Sequence, residues 1–197
     1  MSQIFFHSVF VIFFALFAVI RVYFQWRARL VQGQVEYKEG KLNTALRAII
    51  GAIFLLGVLS YIVRPQLLAW AELPLPQWLQ WLGVVLGGIS LPLLAWTQLA
   101  LGSNFSPTLH VRREHTLVTS GPYRYVRHPM YTALFLSLSA ILLLTRNWLV
   151  GGIPLVGLCV ILLMRLPREE HAMIERFGDA YREYMKRTGR FFPRVIR

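Results

Sequence analysis

Five long apolar runs divide the chain, and polar or basic residues close each of them. A bilayer core about 30 Å thick is crossed by roughly 20 apolar residues in an α-helix, so these runs predict transmembrane helices. The predicted spans are residues 4–24, 48–63, 78–101, 129–145 and 148–166. Pro92 interrupts the third run and predicts a kink, because proline lacks a backbone donor and clashes with the preceding turn. Only Arg146 and Asn147 separate the last two spans, which predicts a tight antiparallel hairpin.

The first apolar run, Ile4–Ile20, could belong to a signal peptide or to a retained transmembrane helix. A signal peptide has a basic segment before a shorter apolar core and a small-residue cleavage site after it, and the sequence shows neither. We therefore expect a retained helix. The chain has 197 residues, of which 56% are hydrophobic, and no internal repeat or second domain is visible. Residues 1–197 thus predict a single all-α, multi-pass membrane domain.

Basic residues are distributed unevenly between the two sides of the predicted spans. The net charge of +12 would by itself also suit a nucleic-acid-binding protein. With the N-terminus outside, however, nearly all Lys and Arg fall on the inner side, and the outer connections hold only Arg64 and Arg146. This is the positive-inside pattern of membrane proteins, which explains the charge without nucleic acid. It predicts a cytoplasmic C-terminus and two cytoplasmic segments, residues 102–128 and 167–197, beside the last two spans.

Cysteine and histidine positions argue against metal or redox chemistry. The single Cys159 lies within the fifth apolar run, so an internal disulfide is impossible. No CxxC motif occurs, and His110, His115, His128 and His171 lack the spacing of a zinc site. We expect no metal.

The segment "GPYRYVRHPMY", residues 121–131, places constrained and basic residues at the start of the fourth span. Pro129 suits the first helical position, which puts His128 near the N-cap. The positive end of that helix, beside Arg127 and His128, favours an anion. Anchoring of both side chains at the lipid head-group boundary explains the same residues equally well.

The C-terminal segment "PREEHAMIERFGDAYREYM" carries an apolar stripe at helical spacing, formed by Met173, Phe177, Tyr181 and Tyr184. Glu170 falls on the same stripe, whereas Glu175, Asp179 and Glu183 lie off it and fit a solvated face. A carboxylate that points inward at a membrane boundary is costly unless it has a partner. Glu170 therefore predicts either a functional acid or a structural salt bridge to Arg127 or Arg165.

Three stretches together resemble the isoprenylcysteine carboxyl methyltransferase family and the related phospholipid methyltransferases. They are "LGSNFSP" (101–107), "HTLVTSGPYRYVRHPMY" (115–131) and "REEHAMIERFGDAYREYMKRTGRFFP" (168–193). The resemblance covers about the C-terminal half of the chain, with the motifs in the family's order. It implies an integral membrane methyltransferase that holds S-adenosylmethionine between the last two spans and the flanking cytoplasmic segments.

The residues that the resemblance and the residue chemistry assign to this site fall into two groups. Cofactor binding is expected of His115, Leu117, Val118, Tyr123, Arg127, His128, Pro129, Tyr131, Glu169 and Glu170. A catalytic role is expected of Glu170 and Arg165, with Arg165 holding an acidic acceptor or serving only as an interface anchor. The substrate would be a lipophilic or lipidated molecule that enters from the membrane, with no nucleic acid and no metal involved.

The chemistry of the methyl acceptor stays open at this point. An isoprenylcysteine-type carboxylate needs no general base, whereas a phospholipid amine needs a base such as Glu170 or Glu169. An NADPH-dependent reductase on a similar helical scaffold, or a non-catalytic membrane protein, would also fit the hydropathy. A compact five-span chain is typical of a prokaryotic cell membrane.

Overall fold

The computed structural model describes residues 2–31, 41–102 and 116–194. Six α-helices contain most of them: α1 (Ser2–Val31), α2 (Lys41–Val63), α3 (Trp78–Leu101), α4 (Pro129–Thr145), α5 (Ile153–Phe177) and α6 (Asp179–Arg187). Short 3₁₀ turns cover Pro65–Ala71 and Gly121–Arg124, and a π-helical turn covers Trp148–Gly152. Within the described ranges, β-pairing is limited to two isolated bridges. The all-α class predicted from the sequence is confirmed.

Three helical stretches are long and apolar enough to cross a membrane: Gln3–Ala28, Trp78–Leu101 and Trp148–Phe177. Ala48–Val63 and Pro129–Thr145 are shorter apolar helices at the positions of the remaining two predicted spans. The helices run alternately up and down. Phe6 packs on Trp81, His7 contacts the Tyr61 carbonyl, and Gln80 donates to the Leu144 carbonyl. These contacts gather the N-termini of α1 and α3 and the C-termini of α2 and α4 at one end of the bundle.

The core is an aromatic seam on α1 that packs between α3 and α4. Phe6, Phe10 and Phe13 recur at helical spacing and are almost fully buried. Gly87 lies opposite Phe13, where an added Cβ would come within 3.0 Å of the ring. The small residue therefore lets α1 and α3 approach closely.

The predicted hairpin between α4 and α5 is present, and Asn147 organises it. Arg146 adopts a left-handed conformation with φ 49°. The Asn147 side chain accepts hydrogen bonds from the amides of Leu149 and Val150, both at 3.1 Å, and donates to the Leu68 carbonyl at 2.8 Å. A Cβ on Gly151 would overlap the Leu142 backbone, so only glycine permits this close turn.

Two details of the C-terminal half differ from the pattern read in the sequence. Helix α5 continues through Pro167 as far as Phe177, well beyond the predicted span end at residue 166. The apolar stripe is not carried by one helix, because Gly178 at φ 54° ends α5 and starts α6. Glycine adopts this conformation without a steric penalty, so the chain can turn Tyr181 and Tyr184 back toward the bundle. Pro92 lies inside α3, which continues on both sides of it.

Candidate functional site

The C-terminal tail is hydrogen-bonded to the residues that precede α4. The backbone amide of Arg127 donates to the Gly189 carbonyl at 2.8 Å, and that of His128 donates to the Arg190 carbonyl at 3.0 Å. One turn into α4, the Thr132 hydroxyl donates to the Phe191 carbonyl at 3.2 Å. Because two consecutive amides pair with the tail, the segment after α6 follows the start of α4 as a short strand-like strap.

Tyr184 of α6 forms a further hydrogen bond between the tail region and the loop before α4. Its hydroxyl donates to the Tyr123 carbonyl at 2.6 Å, within the turn Gly121–Arg124. The tyrosine is buried, and burial raises its pKa to about 12. Tyr123 is also buried, and burial raises its pKa as well. These two aromatic residues join the loop before α4 to α6, and so they fix the position of the tail relative to α4.

Glu170 lies at the centre of the region and is only 5% exposed. Arg127 Nε donates to its Oε1 at 3.1 Å, and His128 Nε2 lies 3.4 Å from the same oxygen. From the other side, Arg190 Nη2 donates to Oε2 at 2.6 Å, and these bonds raise the pKa of the Arg190 guanidinium. The sequence predicted an inward-pointing Glu170, and the structure buries it. Its partners are Arg127 and Arg190, so one carboxylate connects α5, α4 and the tail.

Glu169 has a different environment, although it is the next residue. The Tyr131 hydroxyl donates to Glu169 Oε1 at 2.8 Å, and Arg165 Nε donates to the same oxygen at 2.6 Å. The His128 ring lies between the two acids, with Nδ1 3.9 Å from Glu169 Oε2. Glu169 is half-buried, whereas Glu170 is enclosed. The Oε2 of Glu169 is therefore more accessible to a ligand than the carboxylate oxygens of Glu170.

Arg127 is engaged mainly with the protein itself. Its Nη1 donates to the carbonyls of Met185, at 3.2 Å, and Thr188. At the helix start, the amides of Tyr131 and Thr132 both donate to the His128 carbonyl, at 3.1 and 3.3 Å. His128 is the N-cap residue and Pro129 the first helical residue, as predicted. The donors expected to attract an anion are thus partly used to hold the tail.

The remaining predicted residues lie at varying distances from this cluster. Tyr131 stacks on the His128 ring with a centroid separation of 5.8 Å. Leu117 and Val118 lie half-buried outside any helix or strand and take no part in the Glu170 hydrogen bonds. His115 lies outside the described residues. Among the described residues, no group of three metal-ligating side chains occurs.

Arg190 was missed by the reasoning from sequence. Its side chain is 53% exposed, and in the sequence it is one basic residue among eight in the tail. The only available signal was its position three residues before the end of the family-like stretch, next to the aromatic pair Phe191 and Phe192. Its importance comes from the strap, which brings it back to Glu170.

An open groove of about 580 Å³ lies beside this cluster, between Arg127 and the tail. Its walls come from Arg127 on one side and from Met185, Thr188, Phe192 and Arg194 on the other. The groove combines apolar and aromatic surface with cationic side chains, and it opens to the cytoplasmic side of the predicted topology. Such a surface suits an amphipathic anion with a flat ring.

The model of the isoprenylcysteine carboxyl methyltransferase family matches residues 81–175, which include α4, the start motif and both glutamates. Over these residues, just under half of its length, the chain is similar to this family. The match covers most of α3, the hairpin and the Glu-Glu pair, and it confirms the resemblance carried by the sequence motifs.

Individual relatives agree with this assignment over part of their length. The protein-S-isoprenylcysteine O-methyltransferase of Schizosaccharomyces pombe is 31% identical over 96 residues, 48% of this chain and 41% of that protein. The Homo sapiens protein of the same name is 30% identical over 126 residues, 63% of this chain and 44% of the relative. A cobalt-zinc-cadmium resistance protein, CzcN, of Cupriavidus metallidurans is 31% identical over 84 residues, 43% of this chain and 38% of the relative. The chain therefore spans less than half of the length of these curated relatives.

A solved structure shows the same fold. The eukaryotic intramembrane Ras methyltransferase ICMT superposes with a TM-score of 0.63 and 20% identity, covering 98% of this chain and 68% of that one. This chain is an integral, multi-pass membrane protein with the all-α fold of that structure.

Proposed function

We propose that the protein transfers a methyl group from S-adenosylmethionine to a carboxylate carried by a lipid-like acceptor. The main support is the Glu170 cluster, because it joins the family's two motifs at one place. Arg127 and His128 come from the motif before α4, and Glu169 and Glu170 come from the motif in α5. The curated relatives that carry the name protein-S-isoprenylcysteine O-methyltransferase support the reaction class.

The residues that line the groove, together with Glu169 and His128 of the neighbouring cluster, fit the chemical groups of the cofactor. A ribose diol needs an acceptor, and Glu169 offers a carboxylate oxygen beside His128. A carboxylate needs cations, and Arg127 and Arg194 line the groove. An adenine ring needs apolar or aromatic walls, which Phe192 and Met185 provide. S-adenosylmethionine, when bound, supplies an electrophilic methyl group on a sulfonium and leaves as S-adenosylhomocysteine.

The protein's own residues would mainly orient the reactants and exclude water. A carboxylate acceptor is ionised at neutral pH and forms the new O–CH₃ bond with its own electron pair, so no proton is removed. Positioning and exclusion of water then provide most of the rate. Arg165 lies one helical turn before Glu169 and bonds to it at 2.6 Å, so the acidic partner fixes the guanidinium at the membrane end of the cluster. From there Arg165 can attract an acceptor carboxylate.

Calorimetric titration of the detergent-solubilised protein with S-adenosylhomocysteine tests the cofactor, with NADPH as the parallel ligand. We expect saturable binding of S-adenosylhomocysteine and none of NADPH. Binding of NADPH alone would overturn the proposal in favour of a reductase.

The acceptor is tested by methyl transfer with radiolabelled S-adenosylmethionine. The acceptor substrates are N-acetyl-S-farnesylcysteine and, separately, phosphatidylethanolamine vesicles. Base-labile label on the carboxylic acid is expected, since a methyl ester hydrolyses in alkali and an N-methyl amine does not. Base-stable label on the phospholipid alone would instead establish the amine N-methyltransferase.

We also propose that the groove faces the cytoplasm of a prokaryotic cell, with the N-terminus outside. The charge asymmetry of the sequence supports this orientation, since Arg168, Arg176 and Arg187 all lie at the end of the bundle that holds the groove.

A further inference from the structure

Two side chains of the helical bundle carry buried polar atoms that have no hydrogen-bond partner among the described residues. Gln98 on α3 is 1% exposed, and neither its Nε2 nor its Oε1 has a hydrogen-bond partner among the described residues. Arg21 on α1 has a buried Nη1 that is likewise unpartnered within the described part of the chain. Both residues lie in stretches that are long and apolar enough to span a membrane.

The helical register places these two side chains at the same level. Phe17 of α1, Leu94 of α3 and Ala133 of α4 form one buried cluster. Arg21 follows Phe17 by four residues and Gln98 follows Leu94 by four, so each lies one helical turn further along the same face. α4 runs in the opposite direction, so its corresponding residue is Pro129, which is buried at the helix start. Arg21 and Gln98 therefore lie beside the first turn of α4, at the depth of His128.

Buried polar atoms without hydrogen-bond partners destabilise the folded protein. A buried amide without hydrogen bonds costs about 1–3 kcal/mol, and a buried charge without a partner costs more. Other buried polar residues of α3 are satisfied locally: Ser90 bonds to the Gly87 carbonyl and Thr97 to the Leu94 carbonyl. Ionisable groups inside membrane spans most often mark a site for a ligand or an ion.

We propose that Arg21 and Gln98 bind the anionic end of a lipid-like ligand, the carboxylate of the methyl acceptor. The guanidinium and the amide Nε2 both donate, which matches an oxyanion, and the surrounding apolar surface of α1 and α3 matches a lipid chain. Identifying the ligand as the acceptor rests on the proposed function, whereas oxyanion binding by the pair does not.

Thermal unfolding in detergent without S-adenosylmethionine tests the proposal. The probes are N-acetyl-S-farnesylcysteine, its methyl ester and a short-chain phosphatidic acid. The variants are Arg21→Met and Gln98→Leu, which keep an apolar side chain at each position and remove the polar groups. Arg27→Met, at an exposed position of the same helix, is the matched control.

The free acid should raise the melting temperature of the native protein and of Arg27→Met, and the methyl ester should not. In Arg21→Met and Gln98→Leu the shift should be lost, while the ligand-free melting temperature stays equal or rises because a desolvated polar group has been removed. A lower ligand-free melting temperature in both variants would show a structural role and overturn the proposal.

The other outcomes are equally decisive. A shift with phosphatidic acid and none with the carboxylic acid would assign the pair to a membrane phospholipid and overturn its role in acceptor binding. Equal shifts in all variants would remove both residues from the site. Calorimetry with S-adenosylhomocysteine separates this result from the proposed function: the variants should bind it normally, and its failure to bind the native protein would refute methyl transfer while leaving the lipid result intact.

Discussion

Arg127 and Glu170 are 43 positions apart in the chain, and Arg127 Nε donates to Glu170 Oε1 at 3.1 Å. The pair joins the residue before the N-cap of α4 to the C-terminal part of α5, and Arg190 of the tail also bonds to Glu170. The carboxylate is enclosed, so the three segments depend on one another. Several measurable consequences derive from this arrangement.

Glu170→Gln should be more harmful than Glu169→Gln. The amide keeps the size of the side chain but leaves the buried Arg127 without a countercharge, which destabilises the cluster. We expect S-adenosylhomocysteine affinity or turnover to fall at least about tenfold, equivalent to about 1.4 kcal/mol. Glu169→Gln should retain more activity, since Tyr131 can still donate to the amide oxygen. Calorimetry and methyl transfer on both variants check this, and a silent Glu170→Gln beside an inactive Glu169→Gln would reverse the assignment.

His128→Ala should weaken cofactor binding without unfolding the protein. The ring lies between the two glutamates, 3.4 Å from Glu170 and 3.9 Å from Glu169, while its backbone keeps its hydrogen bond to Arg190 in any variant. Lost hydrogen bonds to a charged group are worth about 1.5–3 kcal/mol, so affinity should fall roughly tenfold to a hundredfold. His171→Ala, at an exposed position of α5, is the control. Unchanged affinity in His128→Ala would return the residue to an interface-anchor role.

Arg127→Ala should behave differently from His128→Ala, because Arg127 also holds the tail. Its Nη1 donates to the carbonyls of Met185 and Thr188, which lose their partner on truncation. Removal of one member of a buried ion pair costs about 3–5 kcal/mol. We therefore expect a lower melting temperature together with weaker S-adenosylhomocysteine binding. A variant of normal stability would show that the strap is held by its backbone hydrogen bonds alone.

Tyr184→Phe should be less stable than the native protein near neutral pH, and this difference in stability should shrink in alkali. The hydroxyl bond to the Tyr123 carbonyl is worth about 0.5–1.5 kcal/mol. Burial raises the pKa of Tyr184 from the ordinary value of 10 to about 12. Below pH 10 both the folded and unfolded states carry the neutral phenol, so its contribution is complete. As pH rises from 10 to 12 only the unfolded state ionises, and the native protein loses stability that the phenylalanine variant does not.

The difference in melting temperature between native protein and Tyr184→Phe, measured at pH 8 and again at pH 10.5, should therefore narrow. Tyr125→Phe, at an exposed position of the same loop, should show no such change. A difference that stays constant with pH would mean that the Tyr184 hydroxyl is not buried in solution.

Membrane orientation can be tested with single cysteines in a Cys159→Ala background. Positions 77 and 187 are exposed and lie at opposite ends of the bundle. In intact cells an impermeant thiol reagent should label Gln77→Cys and spare Arg187→Cys until the membrane is permeabilised. The reverse pattern would invert the proposed topology.

Local chemistry in the sequence was sufficient for several features of the site. The helix start at Pro129, the N-cap at His128 and the inward direction of Glu170 follow from proline geometry and helical spacing, which act over a few residues. The all-α membrane class follows from the apolar runs, since backbone groups in lipid must be satisfied within a helix. The motif order was enough to recognise the resemblance to the methyltransferase family.

Only the tertiary structure decided which partners these residues have. Gly178 interrupts the stripe, and the strap after α6 returns Arg190 to Glu170 across 20 positions, which no helical period encodes. Arg127 could be interpreted from sequence as an anion ligand or an anchor, and its bonds to Glu170 and to tail carbonyls are formed only when α5 folds back on α4. The depth shared by Arg21 and Gln98 likewise depends on the contact between Phe17 and Leu94, because the register between two helices is set by packing and not by either helix alone.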